Sequence, residues 1–275
     1  MPGNMFKRIA HGASRQIGVL ADTRVPSSLL RPVIRAYSTA MGVRMDEAEV
    51  PEGGFERFGD FFARRLKNSA RALCTDPDAV VSPCDGRLVA VHALSDDATR
   101  GLVVKGYDYN LSKLLGGPVG DRFAGGQGCV IYLHPRDYHR VHVSMDAQLH
   151  EVRHISGTRF PVAPWSESRV EGLYEKNERM VFHFRVGKGH MALVMVAAFG
   201  VGHIETAFGP HPGEHTSAAR LHDPAVAMHK GDEIGAFRLG STVVLLWSRG
   251  LINALPAPGR LLFGQRIGSH MKKAT

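Results

Sequence analysis

From about residue 79 onward the chain is a succession of short apolar runs, and this feature excludes most fold classes. VVSP, RLVAVHAL, CVIYL, RVHVSM, MVFHFRV, LVMVAAF and VVLLW alternate with turns containing Gly, Pro and Asp. Each run has the length of a strand and is bounded by residues that break regular structure. An amphipathic helix would instead repeat its apolar positions at three- and four-residue intervals over a longer window. The pattern predicts a β-rich sandwich or barrel. One helical insert is expected, YNLSKLLGG at residues 109–117. The longest strongly apolar stretch, MALVMVAAFGV at residues 191–201, is too short to cross a bilayer as a helix. No segment has the apolar core and small-residue cleavage site of a signal peptide.

The first part of the chain has a different character. Phe55, Phe58, Phe61, Phe62 and Leu66 recur at helical spacing and predict one apolar helix face. Before them, residues 46–54 (DEAEVPEGG) read as an acidic linker. Residues 1–45 carry Lys7, Arg8, Arg15, Arg24, Arg31, Arg35 and Arg44 against Asp22 alone, a net charge of +6 within an overall +8. Apolar residues such as Ile9, Ile17, Leu29, Leu30, Val33 and Ile34 lie between those charges. A basic amphipathic helix of this kind suits the surface of an anionic membrane. The competing reading is a set of solvated helix faces packed on the core. The expected organisation is therefore α+β. A helical, basic, membrane-associating segment spans residues 1–70, and a β-rich catalytic domain spans residues 71–275. Cys74, Cys84 and Cys129 are odd in number and lack CxxC spacing, which points away from a disulfide framework or a cysteine zinc site.

Three places can carry chemistry. SPCDGRL at residues 82–88 contains Asp85, although Asp-Gly after a strand is also a common hairpin turn. HPRDYHRVHVSMD at residues 134–146 gathers Asp137, His139 and His142. The two histidines are three apart, so on one strand they would face opposite ways. The third place is Gly240-Ser241 in GAFRLGSTVVLLW, at the mouth of a β-branched run. A serine hydroxyl needs a neighbouring base, and a base usually needs an orienting acid. Glycine has no Cβ, leaves its carbonyl carbon open to the next side chain and tolerates strained angles. Ser241 Oγ can then attack the carbonyl of Gly240 and form an ester in place of the peptide bond. β-Elimination leaves a dehydroalanine, which hydrolyses to a pyruvoyl group at a new N-terminus. Either histidine can be the base, and Asp85 or Asp137 the orienting acid.

LGST at residues 239–242 resembles the self-cleavage motif of the phosphatidylserine decarboxylases. The amphipathic FxxFxxFFxRxL segment at residues 55–66 is similar to that family's, and SPCDGRL, KGYDYNLSKLLGG, PRDYHRVH, NERMVF, GHIETAFG and KGDEIGAFRLGST follow in the family's order. The resemblance covers about residues 47–250. It implies that Asp85, His142 and Ser241 form the self-cleavage triad, with His142 taking the serine proton and Asp85 orienting the imidazole. It assigns His139 to the decarboxylation step. It also implies a cut between Gly240 and Ser241, giving a large β chain and a short α chain that carries the pyruvoyl cofactor at position 241. Two positions depart from the family pattern. Ser144 stands where a proline is common, and His134 where a small residue is usual.

The implied reaction converts phosphatidylserine to phosphatidylethanolamine and CO2. A pyruvoyl ketone can take up the substrate amine and delocalise the charge left when CO2 departs. No metal is required. The implied partners are phosphatidylserine in an anionic membrane, the α chain paired with the β chain, and a further dimerisation; no nucleic acid is expected. The implied location is the cytoplasmic face of the cell membrane, as a peripheral protein. Two other classes fit more loosely. A zinc peptidase could use His139 with His142, or His211 with His215. A non-catalytic lipoyl- or phosphocarrier-like module would explain the SPCDGRL and KGDEIGAF turns and leave LGST without a role. The terminal GSHMKKAT is assigned no function.

Overall fold

A computed structural model of the chain describes residues 16, 18–97, 102–104, 106–162, 170–198, 204–209, 216–253 and 255–271. The principal element is an antiparallel eight-stranded sheet in the order β11 (Ala218–Met228), β7 (Ala147–Ile155), β8 (Arg179–Val186), β9 (Gly189–Ala197), β13 (Ser241–Trp247), β5 (Gln127–Leu133), β2 (Gly86–Ala93), β14 (Gly259–Leu261). Its central members are β9, β13 and β5. Every residue of β13 is buried, so both faces of the sheet must be covered there. The same core takes in Val141, Ile204, Ile234 and Phe237 from a three-stranded sheet. That second sheet has the order β10-β12-β6, from β10 (Ile204–Thr206), β12 (Glu233–Phe237) and β6 (Arg140–His142). The expected α+β class, with a β-rich core after N-terminal helices, is what is observed.

The expected insert at residues 109–117 forms a short helix, Leu111–Leu115. Asn110 caps it by accepting from the Lys113 backbone N–H, and Gly116 closes it in the left-handed region at φ 71°. Its Leu111, Leu114 and Leu115 enter the main core.

The N-terminal segment builds a small core of its own. Helix α1 (Ser27–Met41) buries Leu30 and Ile34 against Val43, Phe55 and Phe61. The expected helix through residues 55–66 is shorter, with α2 limited to Phe58–Phe62. The chain leaves the helix at Ala63 because two tertiary demands follow. Arg64 turns inward to donate to the carbonyls of Arg136 and Asp137, and Leu66 bridges to Ala48. The acidic linker is anchored rather than loose, since buried Glu47 pairs with Arg71 at 2.9 Å. On the opposite side of α1, Leu29 and Val33 are 65% and 53% exposed, between exposed Arg31 and Arg35. No helix among the described residues is long and apolar enough to cross a membrane. Lys7, Arg8 and Arg15 of the expected docking segment lie outside the described residues.

Candidate active site

Strand β13 places the serine. Ser241 opens it and pairs with Leu133 of β5 on one side and Ala197 of β9 on the other. Beyond Leu133 the chain turns through residues 134–139 and comes back over the end of β13. The turn is held from within. Asp137 N–H donates to the His134 carbonyl, the Asp137 carboxylate accepts from His134 N–H, and Arg260 donates to the same carboxylate at 2.7 Å. This places His139 on the serine, with His139 Nδ1 3.1 Å from Ser241 Oγ.

The hydrogen bonds fix the tautomer. His139 Nε2 lies 3.1 Å from the His134 carbonyl, which can only accept, so Nε2 carries the proton. Nδ1 is left with a free lone pair, and the Ser241 hydroxyl donates to it. Burial, followed by the nearby Arg64 charge, lowers the His139 pKa to about 3. The imidazole is therefore neutral, an acceptor aimed at a serine that is itself fully buried. Phe62 covers the ring with its centroid 4.1 Å away.

His142 has a different environment. It belongs to β6, where it pairs with Glu233 in the smaller sheet. Its Nδ1 donates to the Gly231 carbonyl at 2.8 Å, so its Nε2 accepts from the Tyr138 hydroxyl at 3.0 Å. Phe263 stacks on it with ring centroids 3.9 Å apart. Burial lowers its pKa to about 4. The family-based expectation placed His142 on Ser241; the structure places His139 there. The cause is topological, because His139 sits in the turn that leaves β5 beside β13, whereas β6 carries His142 into the other sheet.

Asp85 is buried, and its carboxylate accepts two bonds from Arg71 Nε and one from Arg71 Nη2, with the Phe263 N–H at 2.8 Å. Neither Asp85 nor Asp137 is hydrogen-bonded to an imidazole. The orienting acceptor for His139 is the backbone carbonyl of His134, and Asp137 acts on it through the turn. Asp85 reaches His142 indirectly, by holding the backbone of the Phe263 that stacks on it. The Gly240 backbone also differs from expectation. Its φ lies outside the left-handed region, and a Cβ there would meet only the Ala198 Cβ at 3.9 Å. The departures at Ser144 and His134 leave the site intact: Ser144 is buried with its hydroxyl unpartnered, and His134 acts through its backbone.

Just upstream of the serine, Arg238 holds three carboxylates, those of Asp22, Asp60 and Glu205. Beside the serine's other neighbour, the Asn177 side chain donates to the Ala197 carbonyl, and buried Glu178 pairs with Arg159 and His154. Sequence reasoning gave no role to Arg64, Asn177, Glu178 or Arg238, although each stands in a quoted motif, and it did not notice Arg71. Among the described residues, no three His, Cys, Asp or Glu side chains converge to hold a metal ion. His211 and His215 lie outside the described residues.

A serine at the start of a central strand, with a neutral imidazole on its hydroxyl and a glycine carbonyl before it, is the arrangement self-cleavage requires. Residues 58–269 match the family model for phosphatidylserine decarboxylase. The chain belongs to the phosphatidylserine decarboxylase family. Curated relatives agree over nearly the whole length. The phosphatidylserine decarboxylase proenzyme of Marinobacter nauticus is 37% identical over 88% of this chain and 87% of its own. That of Bordetella petrii is 37% identical over 90% and 88%, and that of Alkalilimnicola ehrlichii 36% over 95% and 88%. Membership of a decarboxylase family makes the chain an enzyme, and the matched region contains every side chain of the His139–Ser241 site.

Proposed function

We propose that this chain cleaves itself between Gly240 and Ser241 and then decarboxylates phosphatidylserine to phosphatidylethanolamine. The observation that carries the reading is the His139 Nδ1–Ser241 Oγ hydrogen bond with its proton fixed on the far nitrogen. His139 takes the serine proton as Oγ attacks the Gly240 carbonyl. An imidazole of such low basicity is a slow base. That suffices for a step performed once per molecule. The relatives' description as proenzymes accords with such a step.

The residues present fit a pyruvoyl group at position 241: the serine from which it would form begins a strand, carries a base, and is shielded from water. When formed, that group supplies an electron sink for the charge left on loss of CO2. His139, whose Nδ1 faces position 241, is the side chain placed to relay a proton to carbon, taking it up on Nδ1 first. His142, Tyr138 and Phe263 form the wall beside it. Seven consecutive residues of β13 pair with both β5 and β9, so a short α chain beginning at Ser241 would keep its place after the cut. The β-rich region from residue 71 supplies this chemistry. The N-terminal segment, whose exposed Val19, Leu20, Leu29 and Val33 lie among Arg24, Arg31 and Arg35, supplies docking on the anionic bilayer that holds the substrate.

The decisive experiment is Ser241→Ala, read by intact mass. The parent should resolve into two chains, and the variant should remain one chain without decarboxylase activity. Two chains from the variant would overturn the mechanism. For docking, co-sedimentation with phosphatidylserine vesicles should weaken as salt rises. It should weaken further when Arg24, Arg31 and Arg35 are changed to Gln. Equal binding by both proteins at low salt would remove this segment as the electrostatic dock.

A further inference from the structure

Beside the site lies a cavity of about 200 Å³, bordered by Arg64, Asp85, Asp137 and Tyr138. Its charges do not balance. Arg71 takes Asp85 and shares Glu47 with Arg44, and Arg260 takes Asp137 at 2.7 Å. That accounts for the three carboxylates of the cavity wall. Two lining arginines are left over. Arg136 reaches only the Asp137 oxygen already held by Arg260, at 3.9 Å, and is half exposed. Arg64 is 3% exposed and has no carboxylate within ion-pair distance among the described residues.

Arg64 also has unused donors. Its Nη2 donates to the Arg136 and Asp137 carbonyls, but Nε and Nη1 are buried without a hydrogen-bond partner among the described residues. The Phe61 ring, 5.6 Å from Cζ, offsets part of the burial of charge and leaves those N–H groups unsatisfied. A buried guanidinium with open donors is unfavourable unless something accepts from it.

We propose that Arg64 and Arg136 form a binding site for a phosphate oxyanion in this cavity, with Arg64 at its buried end and Arg136 at its rim. The guanidinium fork matches the paired oxygens of a phosphate. The cavity is roomy enough to hold one such group together with a few waters. The substrate carboxylate is the poorer candidate. A cation would stabilise it more before CO2 leaves than after, which raises the barrier. The headgroup phosphodiester is the expected source, and this part rests on the proposed activity; the oxyanion site itself does not. Arg64 also adds to the positive field on His139. An anion there would relieve part of that field and let His139 take up the proton it passes to carbon more readily once the lipid is seated.

The test uses full-length Ser241→Ala protein, so that binding is read without any chemistry. Calorimetric titration with dihexanoyl phosphatidylethanolamine below its micelle concentration presents the phosphodiester without the carboxylate. Titration with inorganic phosphate presents the free anion. Arg136→Gln and Arg64→Lys, each added to that background, should weaken lipid binding by about tenfold or more, the loss expected for one charge-assisted hydrogen bond. If only inorganic phosphate binding is weakened, the oxyanion site stands and its source is the free ion. If the protein binds neither probe, or both variants bind as the parent does, the proposal is overturned. Arg136 is half exposed, so Arg136→Gln decides the matter should Arg64→Lys fail to fold. Failure of wild-type protein to decarboxylate, with this binding intact, would sink the proposed activity and leave the site.

Discussion

The turn at residues 134–139 and strand β6 beside it hold two histidines three residues apart, and the two have almost the same chemical character. Both are buried, both neutral, and both have each ring nitrogen engaged. They differ in what the sheet brings to them. The turn hangs from β5, whose last residue pairs with Ser241, so its histidine meets a nucleophile. β6 pairs with β12, so its histidine meets a tyrosine hydroxyl and a carbonyl. On the proposed mechanism, proximity to the reacting atom, more than basicity, separates the base from the other histidine.

The comparison breaks most readily at the turn. His139→Ala removes the lone pair on the serine and should slow self-cleavage by about 10²-fold or more, the usual loss of a positioned base; timed gel analysis of freshly refolded protein would show it. Acid should act on both histidines together. Their folded pKa values, about 3 and about 4, lie below the ordinary value near 6.5, so below pH 6.5 the unfolded chain binds protons that the folded chain refuses. Stability should be flat with respect to these two groups above pH 7 and fall as pH drops from 6.5 toward 4. At pH 5 the loss is roughly 2 kcal/mol for each histidine. Denaturant midpoints that do not move between pH 7 and pH 5 would contradict the buried, neutral assignment. His142→Ala should have the smallest effect on chemistry. It leaves cleavage within about tenfold of the parent and lowers stability by about 1–3 kcal/mol, because the Tyr138 hydroxyl loses a buried partner. Should His142→Ala be the slower of the two variants, the roles return to the order the family resemblance implied.

Much of this architecture was legible in the sequence because it rests on local patterns. YNLSKLLGG announces its own cap at Asn110 and its own stop at Gly116. The strand runs show their length and their turns. LGST marks the bond proposed to be cut. What was not legible depends on which strands become neighbours. PRDYHRVH contains both histidines, but nothing within it says that the chain changes sheets between residues 139 and 142. The helix expected through residue 66 stops early because Arg64 is drawn to carbonyls more than seventy positions away. Arg71 and Arg238 carry no periodic signal, and their roles appear only once distant carboxylates gather round them. Gly240 was expected to need a backbone freedom that the folded chain does not use.

Arg238 stands two residues before Gly240 of the proposed cut, and its three carboxylates come from separate elements: Glu205 from β10, Asp22 and Asp60 from the N-terminal segment. A chain cut in an ordinary loop acquires a fraying tail. Here the new end of the large chain would be moored before it was made, and two of the moorings belong to the segment proposed to dock on lipid. One guanidinium thus ties the proposed docking segment to the strand end that leads into the proposed cut, beside the contacts of Phe62 and Arg64.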